Sequence, residues 1–189
     1  GKFRGFYHLI QPLPFQAVHH ALVVEQHGGH ADVLADLGKR YGAHVALDGL
    51  HMELHAGEVV GLLGPNGAGK TTTLKLLLGL LRPTHGHARI LGLDCMRDSQ
   101  RVKERIGFTP DEPQFYDFLT GRETVDFVIS ARGLPAQETW RTVDEFVELL
   151  ELGPQLSVLT SSFSLGMKKK LALLCALVHR PRVLLLDEP

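Results

Sequence analysis

One short stretch of the sequence has the residue types and the spacing that bind phosphate groups. It fits the pattern G-x-x-x-x-G-K-[ST] and reads Gly64-Pro65-Asn66-Gly67-Ala68-Gly69-Lys70-Thr71-Thr72. Glycines let a backbone turn tightly, so that several N–H groups point toward one anion. In such a loop the Lys70 ammonium reaches the outer phosphates of a nucleotide and the Thr71 hydroxyl ligates Mg²⁺. The pattern therefore predicts a nucleotide site, and its plain alternative is a glycine-rich turn that happens to precede a helix.

The residues on either side of this loop supply the strand and the helix that such a site needs. Residues 59–63 form a short apolar run of the kind that becomes a buried strand. After the loop, leucines recur at helical spacing as far as Leu81. The predicted helix begins at the loop, where its free N–H groups favour an anion, and ends at Arg82-Pro83 because proline cannot continue it. This order of strand, loop and helix favours the nucleotide site over the chance turn.

A second feature with chemical potential closes the sequence. Four apolar residues, 183–186, precede Asp187 and Glu188, which is typical of a buried parallel strand with acids at its carboxyl end. That end of a strand faces the ligand crevice in α/β folds. Asp187 can then hold Mg²⁺ and Glu188 can polarise a water, whereas the alternative is a strand that simply ends in a polar turn. Because the sequence stops at Pro189, we expect this strand to lie at an unfinished edge of its sheet.

Between these two features the sequence predicts helices. Thr120 and Glu123 form a capping box that starts a helix running to about Arg132. A second helix has one apolar face, made of Trp140, Val143, Phe146, Val147 and Leu150. Ser164 and Gly166 precede an apolar helix, and such a helix N-terminus suits an anion. A capped helix followed by a solvated run of lysines explains the same residues. We expect residues 115–178 to form a small helical subdomain.

Composition limits the classes of function. The 189 residues carry a formal net charge of −1, so bulk charge gives no sign of a nucleic-acid partner. Cys95 and Cys175 have no metal-like spacing and fit a reducing compartment. The apolar runs are too short to span a bilayer and no signal peptide is evident, so any membrane role must come through a partner. Since the sequence begins at Gly1 and stops after a predicted strand, we expect it to be partial.

The residues from Gly1 to about Gly29 are the hardest to interpret. We expect residues 1–30 to be an unassigned leader, non-native or disordered, with a short helix or strand within residues 16–26. Its scattered histidines leave a metal site as the weaker alternative to a solvated leader. An antiparallel strand pattern follows from Ala31, with a predicted turn at residues 39–42. Tyr41 in that turn either stacks on a base or packs within the loop.

From about Ala31 onward the chain resembles the nucleotide-binding subunit of an ABC transporter. The motifs that carry this resemblance occur in the order of the family: the adenine-stacking aromatic at Tyr41, the Walker A loop at residues 64–72, the approach to the Q-loop at residues 106–111, the signature at residues 164–168 and the Walker B strand at residues 184–188. The resemblance implies an α/β fold with a P-loop NTPase core, meaning a mainly parallel sheet with flanking helices. An N-terminal antiparallel β subdomain and an inserted α-helical subdomain complete this fold over residues 31–189, which would be incomplete at the C-terminus.

Two motifs depart from the family pattern. Asp111 stands where the family has the Q-loop glutamine, and its carboxylate remains a candidate Mg²⁺ ligand. The family signature usually begins Leu-Ser-Gly-Gly-Gln, whereas Phe163, Leu165 and Met167 replace three of those residues here. Ser164 and Gly166, which would touch the γ-phosphate, are retained.

The resemblance also implies a mechanism, with ATP and Mg²⁺ as cofactors. Tyr41, the residues from Gly64 to Thr72, Ser164 and Gly166 would bind the nucleotide. Lys70 and Glu188 would act in hydrolysis, and Thr71, Asp187 and Asp111 would hold the metal.

Two subunits, identical or paired, would close head to tail on two ATP molecules. Closure would drive export by a separate membrane-spanning permease at the cytoplasmic face of the membrane, without a nucleic-acid partner. Two alternatives remain: a soluble ABC-type ATPase that acts on DNA or ribosomes, and a nucleotide-binding fragment with little turnover. Balanced charge and a single cassette speak against the first.

Overall fold

A computed structural model describes residues 20–24 and 32–187 of the chain, and the predictions for residues 1–19, 25–31 and Glu188 lie outside these residues. The elements are, in chain order, β1 (His20–Val24), β2 (Asp32–Tyr41), β3 (His44–Leu54), β4 (Val59–Gly61), α1 (Lys70–Leu77), β5 (His85–Ile90), β6 (Leu93–Asp94), α2 (Ser99–Lys103), β7 (Ile106–Thr109), α3 (Gly121–Ala131), α4 (Ala136–Leu149), two 3₁₀ turns (Pro154–Ser157 and Thr160–Ser162), α5 (Leu165–Leu177) and β8 (Val183–Asp187). They form two compact units, one containing the residues up to 106 together with β8, the other containing residues 107–181.

The first sheet has the strand order β4-β1-β8-β7. Strand β1 is antiparallel to β4 on one side and to β8 on the other. Two strands that are both antiparallel to a third run in the same direction, so β4 and β8 are parallel to each other with one strand between them. Residues 20–24, which lie in the segment predicted as a leader, thus form a central strand of this sheet.

Strand β8 does not lie at a sheet edge, so that prediction was wrong. On one side β8 pairs with β1 over its whole length. On the other side, the N–H groups of Arg182 and Val183 donate to the carbonyl oxygen of Arg105, at 2.7 and 3.3 Å. The prediction failed because it treated β1 as part of an unstructured leader. The side chains of β8 from Val183 to Leu186 are at most 1% exposed, which agrees with the predicted buried strand.

The second sheet is antiparallel, with the order β3-β2-β5-β6. Register shifts interrupt the pairing of β2 with both neighbours, and Asp36 in this stretch has a positive φ of 51°. Strand β2 continues to Tyr41, which pairs with His44. The turn therefore lies at Gly42, whose φ of 59° suits a glycine, and not at residues 39–42 as the sequence suggested.

Helix α1 is shorter than predicted and ends at a glycine instead of a proline. Its last helical residue is Leu77, and Gly79 follows with φ 64°. The Gly79 N–H donates to the carbonyl oxygen of Leu76 at 3.1 Å, and the Leu80 N–H donates to that of Lys75 at 2.9 Å. This pair of bonds is the Schellman arrangement, which stops a helix several residues before Pro83 is reached.

The second unit is mainly helical. Helix α3 begins with the predicted capping box: the Thr120 hydroxyl accepts from the Glu123 N–H, and the Glu123 carboxylate accepts from the Thr120 N–H. Helix α4 buries Trp140, whose indole N–H donates to Asp126 at 2.6 Å and whose ring lies 4.0 Å from the Arg122 guanidinium. Among the described residues, no helix has the length and apolar character to cross a membrane.

Candidate functional site

The loop between β4 and α1 has a backbone that only glycine tolerates at certain positions. Gly67 and Gly69 have φ values of 84° and 88°. A Cβ on Gly69 would lie 2.4 Å from the carbonyl oxygen of Ala46 on β3, so a side chain there would overlap the backbone. The Ala68 N–H closes the loop by donating to the carbonyl oxygen of Pro65 at 3.1 Å. The loop thus packs closely against β3 at Gly69, whereas a Cβ on Gly67 would meet no atom within 4 Å.

The Lys70 side chain lies back across this loop. Its ammonium donates to the carbonyl oxygens of Gly64 and Pro65, at 2.8 and 3.0 Å. An ammonium held by two neutral carbonyl groups can exchange them for anionic oxygens, which are stronger acceptors. The Lys70 ammonium is therefore held next to the loop that would bind an anion.

The N-terminus of α1 has no side-chain cap. Gly69 is the N-cap residue, and no acidic residue lies in the first turn. Hence no carboxylate competes with an anion for the positive end of the helix. Thr71 is exposed in this turn and Thr72 is half-buried. Within the rest of the predicted loop, Gly69 is buried, Lys70 is half-buried and the other residues are exposed, namely Gly64, Pro65, Asn66, Gly67 and Ala68.

The register of the first sheet brings this loop and Asp187 to the same end of the sheet, where β4 and β8 finish. Gly61, the last residue of β4, and Leu186 of β8 both pair with Ala21 of β1. The two strands run in the same direction, so the chain leaves β4 for the loop at the level where β8 reaches Asp187. With one strand between them, β4 and β8 are about 10 Å apart, twice the usual spacing of neighbouring strands. Asp187 itself is half-buried.

Tyr41 lies at the end of β2 with a side chain that is 48% exposed. The ammonium of Lys39 lies 5.1 Å from the centre of its ring. The ring is accordingly not buried among loop side chains, and one of its neighbours is a cation.

The other predicted site residues belong to the second unit. Ser164 is the N-cap of α5, where its hydroxyl accepts from the Met167 N–H at 3.3 Å. Ser164 and Gly166 are both exposed. Asp111 contacts Lys169 of α5, with 3.6 Å between the carboxylate and the ammonium.

The lysines that follow the signature form two ion pairs that sequence reasoning did not predict. Lys169 pairs with Asp111, and the exposed Lys170 lies 3.8 Å from the carboxylate of Glu151. Nothing in the local sequence identifies these acids, because both come from distant segments.

One thiol in this unit, that of Cys175 on α5, is half-buried. Burial raises the pKa of Cys175 to about 12, although the nearby Arg132 guanidinium acts in the opposite direction. The thiol is therefore protonated at neutral pH and unsuited to nucleophilic chemistry.

Two features define the phosphate-loop class of nucleotide-binding proteins: a glycine loop at the start of a helix, and a parallel strand that ends in an acidic residue at the same end of the sheet. Comparison with known proteins makes this more specific. The model of a family described as ABC transporter matches residues 47–189, and the chain belongs to that family.

Individual relatives agree with this assignment. The chain is 40% identical over 154 residues to the bacitracin transport ATP-binding protein BcrA of Bacillus licheniformis, covering 82% of this chain and 49% of that protein. It is 37% identical to a probable multidrug ABC transporter ATP-binding protein, YbhF, of Escherichia coli, covering 82% of this chain and 27% of that one. The chain thus spans about half the length of BcrA, or less for YbhF.

The solved structures support the same fold. An ATP-binding subunit of an ABC transporter is 28% identical and superposes with a TM-score of 0.68, over 80% of this chain and 63% of that one. A cbiO1 structure from Clostridium perfringens, 23% identical with a TM-score of 0.68, has the same fold. The family and the fold class predicted from the sequence are confirmed.

Proposed function

We propose that the protein is the ATP-binding and ATP-hydrolysing subunit of an ABC transporter. The proposal depends on one observation: Gly61 and Leu186 both pair with Ala21 of β1. The phosphate loop and Asp187 therefore follow β4 and β8 at the same end of the sheet. A nucleotide whose phosphates enter the loop would then have an acidic residue available on the same side. The names of the curated relatives, which are ATP-binding transport proteins, support the same function.

The donor groups at this edge fit Mg²⁺. The Thr71 hydroxyl and the Asp187 carboxylate provide oxygen ligands, and Mg²⁺ bound with a nucleotide needs only one or two protein ligands besides phosphates and water. A cage of three or more His, Cys, Asp or Glu side chains is not required, and the described part of the chain has none. When bound, Mg²⁺ would spread the charge of the phosphate groups. Asp111 is proposed as a further ligand.

The remaining roles fall to the chain's own groups. Lys70 would exchange the carbonyl oxygens of Gly64 and Pro65 for phosphate oxygens, so its ammonium would be hydrogen-bonded in both states. Glu188, directly after β8, would orient the attacking water. Tyr41 would stack on the adenine with its exposed ring.

We further propose that two subunits close on the nucleotide. Ser164 and Gly166 are exposed at the N-terminus of α5, and they would approach the γ-phosphate of the partner's nucleotide. A serine hydroxyl has one donor and two acceptor sites, so Ser164 can keep its cap to Met167 while it donates to a phosphate. Closure would supply donors that one subunit alone does not have, and would exclude water.

The partner that uses this closure would be a separate membrane-spanning permease at the cytoplasmic face, acting in export. An aromatic surface of Tyr116, Phe118 and Phe127 supports a protein partner, because these residues are 52–73% exposed and the Tyr116 ring contacts the other two rings. The relatives are named for bacitracin and multidrug transport, so we expect an export substrate of the antibiotic or drug type.

The experiment compares ATP binding and hydrolysis in the complete protein. We expect Lys70→Ala to lower ATP affinity at least tenfold, whereas Lys75→Ala, on the exposed face of the same helix, leaves it unchanged. Glu188→Gln should abolish hydrolysis and preserve binding. Unchanged ATP affinity in Lys70→Ala would contradict the proposed site. If no membrane protein co-purifies with the complete protein and it binds DNA or ribosomes, the soluble ATPase would be favoured.

A further inference from the structure

A cavity of about 280 Å³ lies toward the opposite end of helix α1 from the phosphate loop. Its walls come from α1, from strands β2 and β5, and from the turn that follows β6. Leu76, which lines the cavity, follows Lys70 by six residues, or about 9 Å along the helix axis. The cavity belongs to the unit that contains the phosphate loop, but the proposed nucleotide site uses none of its lining residues.

The inner wall of the cavity is apolar. It includes Leu37, Leu76, Ala88 and Cys95, and each of these residues is at most 6% exposed. Such a wall favours the carbon skeleton of a small molecule over water. The volume is close to the lower limit for small-molecule pockets, about 300 Å³, so the size indicates a small ligand.

Hydrogen bonds hold the segments of the cavity wall to one another. The Cys95 N–H donates to the carbonyl oxygen of Ala88 at 3.0 Å, which ties the turn after β6 to β5. The Lys39 ammonium donates to the carbonyl oxygen of Arg82 at 2.8 Å, which ties the segment after α1 to β2. A Cβ on Gly79 would lie 2.4 Å from the carbonyl oxygen of Cys95, so the end of α1 is close to the same turn. The cavity is therefore formed before a ligand binds, which lowers the cost of binding.

The charged residues that line the cavity carry a net positive charge. Arg82 and Arg97 are exposed, and His87 is half-buried. Asp94 also lines the cavity, but its Oδ1 atom accepts from the N–H groups of Met96 and Arg97, both at 2.9 Å. The charge of Arg97 interacts with that of Asp94, yet neither arginine forms an ion pair within residues 20–24 and 32–187. The two guanidinium groups are thus available to an anion.

We propose that this cavity binds a small organic anion, with its acidic group at Arg82 and Arg97 and its apolar body against Leu37 and Leu76. A guanidinium is always charged and donates paired hydrogen bonds to a planar or tetrahedral anion. A neutral apolar molecule would leave the arginines without an acceptor, and an inorganic anion would leave the apolar wall unused. The proposal does not depend on nucleotide binding.

The test uses two probes that differ in one group. Anilinonaphthalene sulfonate joins an anionic sulfonate to an aromatic body and becomes fluorescent in apolar surroundings. Phenylnaphthylamine has the same rings without the sulfonate. Both are titrated into the complete protein and into Arg82→Gln, Arg97→Gln and the double variant. Arg89→Gln is the matched control, because this exposed arginine of β5 does not line the cavity.

The first measurement is the Kd of each probe. We expect each single variant to raise the Kd of the sulfonate probe about three- to tenfold, and the double variant to raise it more than tenfold. In Arg89→Gln, and for phenylnaphthylamine in every variant, the change should stay below about twofold. An unchanged Kd of the sulfonate probe in the double variant would overturn the proposal. Equal losses for both probes, or an equal loss in Arg89→Gln, would also overturn it, because cavity shape or bulk charge would then explain the binding.

The second measurement locates the bound probe by hydrogen exchange. We expect the sulfonate probe to slow exchange of the backbone amides in residues 82–97, and to do so less in the double variant. A competing position is the cavity of about 430 Å³ beside Tyr116 and Phe127, which has no charged residue among the described residues that line it. Slower exchange confined to residues 114–128 would assign the probe to that cavity and overturn the proposal.

A third measurement separates this site from the nucleotide site. Saturating Mg²⁺–ATP should change the Kd of the sulfonate probe by less than about twofold, because the phosphate loop lies at the other end of α1. Displacement of the probe by ATP would overturn the separate site. If the probe binds as expected but ATP does not bind, the proposed function is wrong and the anion site stands.

Discussion

Helices α1 and α5 are both expected to face phosphate, yet their N-termini are built differently. Helix α1 begins after Gly69, which has φ 88° and provides no side-chain cap. Helix α5 begins after Ser164, whose hydroxyl accepts from the Met167 N–H at 3.3 Å. Neither helix has an acidic residue in its first turn. The phosphate loop thus leaves its helix end uncapped by side chains, whereas the signature helix caps itself.

Helix α3 extends the comparison to a helix end with no expected ligand. There both halves of a capping box are present, and the Glu123 carboxylate occupies the positive end of the helix. The more completely a helix end is satisfied by its own side chains, the less it offers to an external anion. This series predicts that substitutions at the three N-termini affect different properties.

The largest effect on stability is expected at Gly69. Gly69→Ala should lower the free energy of unfolding by about 2–5 kcal/mol, because it combines a positive φ with overlap against a backbone oxygen. That oxygen belongs to Ala46, 2.4 Å from the position that the new Cβ would occupy. Gly67→Ala is the control, since a Cβ there meets no atom within 4 Å, and it should cost about 1–2 kcal/mol from its φ alone. Urea denaturation measures both, and equal losses would show that β3 does not hold the loop.

A smaller effect is expected at Ser164, where stability and activity should separate. Ser164→Ala should cost about 0.5–1 kcal/mol in urea denaturation through loss of the cap, and should also lower ATP hydrolysis. Ser164→Asp keeps a capping oxygen but has no donor when ionised, so it should restore stability without restoring hydrolysis. Full hydrolysis in Ser164→Asp would mean that the serine serves only as a cap.

The smallest effect is expected at Glu123, and it should depend on pH. Hydrogen bonds from the Thr120 backbone N–H and hydroxyl lower the pKa of Glu123 below its ordinary value of 4.5. A carboxyl whose pKa is lowered on folding stabilises the fold above its unfolded pKa, and loses this effect as pH falls through the folded pKa. The stability difference between the unmodified protein and Glu123→Gln should therefore be constant from pH 7 to 5 and shrink below about pH 4.5.

The titration of Asp94 does not affect the comparison of the unmodified protein with Glu123→Gln. Burial would raise the pKa of Asp94, but hydrogen bonds from the N–H groups of Arg97 and Met96 outweigh it and lower that pKa. Because Asp94 titrates in both proteins, its contribution cancels in the difference. A Glu123→Gln difference that persists to pH 3 would show that the capping box acts through shape and not through charge.

Short-range patterns allowed much of this fold to be predicted. The Thr120 capping box and the apolar strand before Asp187 depend on residues that are close in sequence, so their types suffice. The end of α1 was misplaced although its signal was present, because Gly79 was overlooked in favour of Pro83. The position of β1 and the pairing of Asp111 with Lys169 depend on contacts between distant segments, which no local pattern encodes.

The central position of β1 has a consequence for how the chain reaches this state. Its two neighbours in the sheet come from widely separated parts of the sequence, and the pairing with β8 joins residues 20–24 to residues 183–187. Closing so large a loop is entropically costly and slow, and it must await synthesis of β8 on the ribosome. Until then the backbone groups of β1 that will pair with β8 form an open strand edge, a surface that promotes aggregation of nascent chains. The end of the sheet where Asp187 and the phosphate loop meet is therefore assembled only after β8 has been synthesised.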